Sequence, residues 1–185
     1  MLTEDQEKYL ETIPEDKGVI VQDFNLAAKK TAREITDRIK AAGIKSEVWN
    51  ISSSELEIAG QNDIDINVLS SPDKYRGELP ILEKLFGKPK QTEKLPMKWE
   101  FEQGGFDIEL HLTDATTPTF QEHLRVFTEL KYNPELRHRY EEIKRSCSGK
   151  SFREYMCKKY EFFNEILESS KGRSAAVGDL DDFGK

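Results

Sequence analysis

Apolar residues change their spacing twice along this chain, and the changes mark out its elements. Residues 4–12 predict a short helix ended by Pro14, and Gly18-Val19-Ile20-Val21 a short strand. Ala28, Ala32, Ile35 and Ile39 then recur at three- and four-residue steps. They predict a helix capped by Asp23 or Asn25, running to Ala42 and stopped by Gly43. From Glu47 the period becomes two. Residues 47–51 and 63–69 read as strands separated by a Ser52-Ser53-Ser54 turn. A helix over 75–86, with Pro80 as a kink or first-turn residue, precedes strands at 97–101 and 106–112, joined through Gln103-Gly104-Gly105 as a hairpin.

After Thr117-Pro118 the period is helical throughout. Leu124, Phe127 and Leu130 mark one helix, and Leu136, Tyr140, Ile143 and Cys147 the next. Ser151 caps a third that buries Phe152, Tyr155, Met156, Phe163, Ile166 and Leu167. The expected architecture is α+β: a small mixed sheet with helices, then a C-terminal helical bundle. Residues 1–168 form one domain, with 118–168 as its helical part. The small, polar residues 169–185 are expected to be a disordered tail.

Composition narrows the function classes. The chain has 185 residues with 10% aromatics, enough for a core, and a net charge of −7. Broad duplex nucleic-acid binding and membrane-surface adhesion need a basic surface and are disfavoured. No apolar run approaches the roughly 20 residues of a membrane span, and the acidic N-terminus does not read as a secretory signal. Cys147 and Cys157 suit a reduced, cytoplasmic protein and cannot by themselves make a Cys-based zinc site. The acidic excess is uneven: residues 1–117 carry −8, whereas 118–168 carry +1.

Two strands concentrate that excess on one face. Asp63, Asp65 and Asn67 alternate with Ile64, Ile66 and Val68, and Asp107, Glu109 and His111 alternate with Ile108, Leu110 and Leu112. If the strands are neighbours, up to four carboxylates gather on one side of the sheet. Such oxygen ligands suit Mg²⁺ (or Mn²⁺) and substrate phosphates. The other reading is the wet side of a half-buried sheet. Ser52 and Ser53 could offer hydroxyls and backbone N–H groups to a phosphate, or form a plain surface turn. Lys159 interrupts the apolar stripe of the last helix, Lys144 lies beside that of the previous one, and Arg125 sits on the first. These cations could face the acidic sheet across a cleft and hold a triphosphate, or snorkel outward and pair with Glu142 and Glu161.

Ile51-Ser52-Ser53-Ser54 followed by Gly60-Gln61-Asn62-Asp63-Ile64-Asp65 resembles the G-S-x…D-x-D signature of the polymerase-beta-like nucleotidyltransferases. The series continues with Glu109-Leu110-His111-Leu112, His123-Leu124-Arg125-Val126-Phe127, Asn133-Pro134, Tyr140 to Lys144, and Tyr155…Lys159…Phe162. Over residues 47–167 it resembles the GrpB-like family of that superfamily. The resemblance implies a nucleotidyltransferase-like core with Asp63 and Asp65 as a metal-binding pair and Glu109 or Asp107 as third carboxylate. Ser52, Ser53, Lys144, Lys159, Tyr155 and Arg125 would surround the nucleotide. The implied reaction is transfer of a nucleotidyl group from an NTP to an unidentified hydroxyl acceptor, with release of pyrophosphate. Ser52 stands where the superfamily usually has Gly, so two alternatives remain: a non-catalytic nucleotide- or ligand-binding protein, or a protein-interaction adaptor on the same fold.

Overall fold

The computed structural model describes residues 1–90 and 95–170. Six helices and four strands follow in the order α1 (Glu4–Thr12), α2 (Leu26–Ala41), β1 (Glu47–Asn50), β2 (Asp63–Ser70), α3 (Tyr75–Phe86), β3 (Met97–Gln103), β4 (Phe106–Asp114), α4 (Pro118–Tyr132), α5 (Pro134–Cys147) and α6 (Phe152–Ser170). The expected α+β architecture is the one observed. No helix among the described residues is long and apolar enough to cross a membrane.

Local chemistry sets the element ends. The Asn25 side chain accepts from Ala27 N and caps α2, which leaves the expected Asp23 outside the cap. Asn133 accepts from Glu135 N and Leu136 N, so α5 starts with Pro134 at its first position. Ser151 Oγ accepts from Arg153 N at the start of α6. Pro80 lies inside α3, which runs on to Phe86. The β3–β4 hairpin turns on Gly104 (φ 65°) and Gly105 (φ 81°), the left-handed pair that a tight two-residue turn needs. A Cβ on Gly104 would also lie 2.9 Å from Thr31 Oγ1 of α2.

The strands order as β1-β2-β4-β3, antiparallel at both edges and parallel between β2 and β4. The parallel register pairs Asp63 with Asp107, Asp65 with Glu109 and Asn67 with His111, so the two acidic faces are one face. On the other face Ile64, Ile66, Val68, Ile108, Leu110 and Leu112 are almost wholly buried, against Ala32, Ile35 and Ile39 of α2 and Leu82 of α3. Each such side chain contributes about 1.5–3 kcal/mol of transfer free energy. This dry layer fixes the pleat, and the pleat sends every second residue of β2 and β4 to the opposite side.

There the sheet meets the C-terminal helices. Val126, Phe127 and Leu130 of α4, Tyr140 of α5, and Phe162 and Ile166 of α6 form a second core with Leu56 and Ile58 of the β1–β2 loop. A third cluster joins Leu10 of α1 and Ile13 to Cys147, Tyr155 and Met156.

Two expectations are corrected. Residues 18–21 form no strand: Gly18 bridges to Ser151 and Gln22 to Gly60, so the segment's partners are two separate loops and no ladder propagates. The helix also continues past residue 168. Ser169 and Ser170 donate their hydroxyls to the carbonyls of Ile166 and Leu167, and Ser170 is buried. The remainder of the expected tail, 171–185, lies outside the described residues.

Candidate functional site

Between the polar face of the sheet and the C-terminal helices lies a cavity of about 440 Å³, within the usual range for small-molecule sites. The pleat of β2 carries Asp63, Asp65 and Asn67 into its floor, and β4 adds His111 and Thr113. Phe120 and Phe127 of α4 and Phe163 of α6 supply apolar wall. Ser53 and Gln61 close the β1–β2 side, while Tyr140, Lys144, Tyr155 and Lys159 project from α5 and α6. The Asp63 and Asp65 part of the acidic face is therefore covered, while Asp107 on the same face stays exposed.

The Ser turn splits its roles. Ser52 is buried and tied inside the turn: its hydroxyl lies 2.5 Å from Asn50 Oδ1 and 2.7 Å from Ser54 Oγ. Ser53 instead lines the cavity and accepts from Lys144 Nζ at 2.6 Å. Lys144 is 2% exposed. Its ammonium lies 5.4 Å from the centre of the Tyr140 ring and 5.9 Å from that of Tyr155, a cation–π arrangement that eases burial of the charge. The two tyrosine hydroxyls are 3.3 Å apart. Burial first, then Tyr155 and the aspartates, raise the Tyr140 pKa well above the ordinary phenol value, so this hydroxyl stays protonated.

Lys159 is half-buried at the same cavity, 5.4 Å from the centre of the Phe163 ring. Burial opposes its charge, but the fields of Tyr155, Asp65 and Asp63 outweigh that and raise its pKa. The converse holds for Asp65. Burial and the neighbouring Asp63 raise its pKa to about 6, with Lys159 partly offsetting them. Among the described residues neither lysine forms an ion pair, with Glu142, Glu161 or any other carboxylate.

The other expected residues are placed differently. Glu109 shares the face with Asp65 but does not line the cavity. Its carboxylate accepts from Lys98 Nζ at 2.8 Å and lies 3.5 Å from His111 Nε2. His111 first, then Lys98, outweigh burial and hold it down to about 2. Asp107 is exposed and outside the lining. Arg125 is exposed on α4 and also outside it. The cavity thus unites Asp63, Asp65, Ser53, Lys144, Lys159 and Tyr155, and leaves Ser52, Glu109, Asp107 and Arg125 aside.

That arrangement bears on a divalent cation. Such an ion wants several oxygen ligands, yet no group of three or more His, Cys, Asp or Glu side chains among the described residues could hold one. The candidate third acid is engaged by Lys98 and His111, and Lys159 lies in the field of the remaining pair. As arranged, the described residues present no ready-made ligand cluster, and a cation at Asp63 and Asp65 would take its other oxygens from a ligand and water.

Residues that the sequence pattern did not single out as ligand-facing include Asn67, His111, Phe120, His123, Phe127 and Phe163. His111 carried a signal in its alternation with Leu110 and Leu112. The aromatics did not, because a cavity wall and a helix core share one spacing.

Comparison with known proteins agrees with this fold. The family described as GrpB protein matches residues 18–169, which leaves α1 outside the match. The crystal structure of the conserved protein GrpB from Enterococcus faecalis aligns with a TM-score of 0.62 at 17% identity. The alignment covers 81% of this chain and 98% of that one, and at this identity it shows likeness of fold alone. No curated protein matches. The match over 18–169 supports the nucleotidyltransferase-like fold, and by it the chain belongs to the GrpB family.

Proposed function

We propose that this protein binds a small phosphate-bearing ligand, a nucleotide foremost, in the cavity between the sheet and the C-terminal helices, without turning it over. One observation carries the reading: Lys144 is a buried ammonium at a cavity, held by a serine hydroxyl and two aromatic rings and by no carboxylate among the described residues. A buried cation without a counter-charge is costly, and an anion entering the cavity offsets that cost. The aromatic wall would take the ligand's apolar body.

The test is a thermal-shift panel of the four NTPs and their monophosphates, each with and without Mg²⁺ or Mn²⁺. A ligand at about 100 times its Kd adds roughly 2.7 kcal/mol to stability, which raises Tm by several degrees. The rise should disappear in Lys144→Met. If no nucleotide moves Tm, the reading fails.

A second reading is metal-dependent nucleotidyl transfer to a hydroxyl acceptor. It is favoured by the neighbouring Asp63 and Asp65 on one strand face of the cavity, and it requires Glu109 to leave Lys98 and His111. Incubation with labelled NTPs, Mg²⁺ and a metabolite extract tests it. Labelled product that is lost in Asp63→Asn would establish transfer, whereas its absence returns the site to binding alone.

A further inference from the structure

We infer, resting on the nucleotide-binding reading above, that Asn67 reads the ligand's base: its amide nitrogen selects a ring carrying a carbonyl oxygen over one carrying an amino group in the same place. Thr113 is the positioning residue that holds the amide in that orientation.

The topology gives the cavity two ends. β1 runs antiparallel to β2 with Asn50 opposite Ile66, so the Ser turn that follows Asn50 lies toward the Asp63 end. Ser53 of that turn holds Lys144. β2 rises about 3.3 Å per residue, which carries Asn67 roughly 13 Å beyond Asp63 along the floor. β4 runs parallel to β2 and ends with Asp114 opposite Ser70, so α4 leaves from the second end. Phe120 and His123, three residues apart on one face of its first two turns, line the cavity together with Asn67. An anion held at Lys144 therefore leaves the ligand's ring to the end built from Asn67, Thr113, Phe120 and His123.

Asn67 is 5% exposed, yet it lines the cavity. Its Oδ1 accepts from Thr113 Oγ1 at 3.0 Å, and among the described residues its side chain makes no other hydrogen bond. The amide nitrogen has two hydrogens to donate. It is left without a partner there and is not sealed from the cavity. A ligand that fills this end meets a donor. A carbonyl oxygen pairs with it, whereas an amino group in the same place sets donor against donor and leaves both unpaired. The carboxylates of Asp63 and Asp65 along the same floor favour this orientation, since an amide carbonyl turned into the cavity would add to their negative field. Phe120 supplies a ring face for stacking.

The experiment is calorimetric titration of the full chain, at fixed ionic strength, with matched pairs of nucleoside monophosphates: IMP against AMP, and UMP against CMP. The members of each pair share the phosphate and sugar, and differ in a ring carbonyl against an amino group with the adjoining ring nitrogen. In whichever pair binds more tightly, the carbonyl member should exceed the amino member at least about fivefold. In Asn67→Leu and in Thr113→Val that ratio should at least halve, the first by losing the donor and the second by freeing the amide to turn. A general loosening of the fold would weaken both members alike and leave the ratio in place. The wild-type ratio decides the inference even if a variant folds poorly. A smaller or reversed wild-type ratio, or one that fails to halve in a folded variant, overturns the inference and leaves the binding reading standing. No binding of any of the four overturns both.

Discussion

Asp65 and Glu109 are register partners on adjacent strands and point to the same side of the sheet, yet their carboxyls are driven in opposite directions. Asp65 is pushed up to about 6 and Glu109 is held at about 2. The residue types and strand positions are nearly alike, so the difference lies in what covers each one. Toward β3, Lys98 of the edge strand reaches Glu109, and His111 stands beside it. Toward the helices, Asp65 lies under the cavity roof beside another aspartate, with Lys159 only partly compensating. A single polar face thus holds two electrostatic regions, one neutralised by the sheet itself and one left for the helices and a ligand to settle.

The comparison can be broken at its foundation, sharpened on either side, or left untouched by a control. Ile64 lies between Asp63 and Asp65 on the dry face and is completely buried. Ile64→Ala should cost about 2–4 kcal/mol in urea unfolding and weaken ligand binding, because the pleat that aims both aspartates is loosened. Next in size is Asp65→Asn. A raised carboxyl pKa means the folded chain holds the proton more tightly. That stability is present below the ordinary value of 3.8 and lost as pH rises through about 6. The variant should therefore melt about 2–4 °C above the parent at pH 7, with the gap closing by pH 4.

Glu109→Gln should do the reverse, on a smaller scale. A depressed carboxyl pKa contributes stability above the ordinary 4.5 that is lost as pH falls through about 2. Since Glu109 is 41% exposed in its side chain, the loss at neutral pH should stay below about 1 kcal/mol. It should fade on acidification in calorimetric melts. Smallest of all, Arg125→Ala on exposed α4 should shift stability by no more than about 0.5 kcal/mol and leave ligand titrations unchanged. A large binding defect there would move the ligand out of the cavity.

Much of the frame was readable in the residues. Alternation in 63–69 and 106–112 defines the two central strands, Gly104-Gly105 the hairpin between β3 and β4, and Asn25, Asn133 and Ser151 the helix starts. The partition of the acids was not readable. It depends on the parallel β2–β4 register, which an intervening helix and strand create, and on Lys98, whose sequence context matches any solvent-facing strand residue. Asp107 and Glu109 looked equivalent to Asp63 and Asp65 because a period of two assigns a face but not a neighbour across it. Lys159 shows as a break in an apolar stripe and Lys144 as a neighbour of one, yet the contact that holds Lys144 at the cavity comes from the Ser53 turn, about ninety residues away in the chain. The covering of Asp63 and Asp65 by α4–α6 is likewise tertiary, and it separates a cavity floor from the wet surface around Asp107.

The hydrogen bond from Lys144 to Ser53 joins α5 to the loop between the first two strands, across the seam between the sheet and the helical half. A ligand seated at that lysine would touch both sides of the seam at once and act as a strut. Its signature would then extend beyond the groups it contacts. Backbone amides of α5 and α6 should exchange with deuterium more slowly when the cavity is filled, while those of α2 behind the dry layer keep their pace.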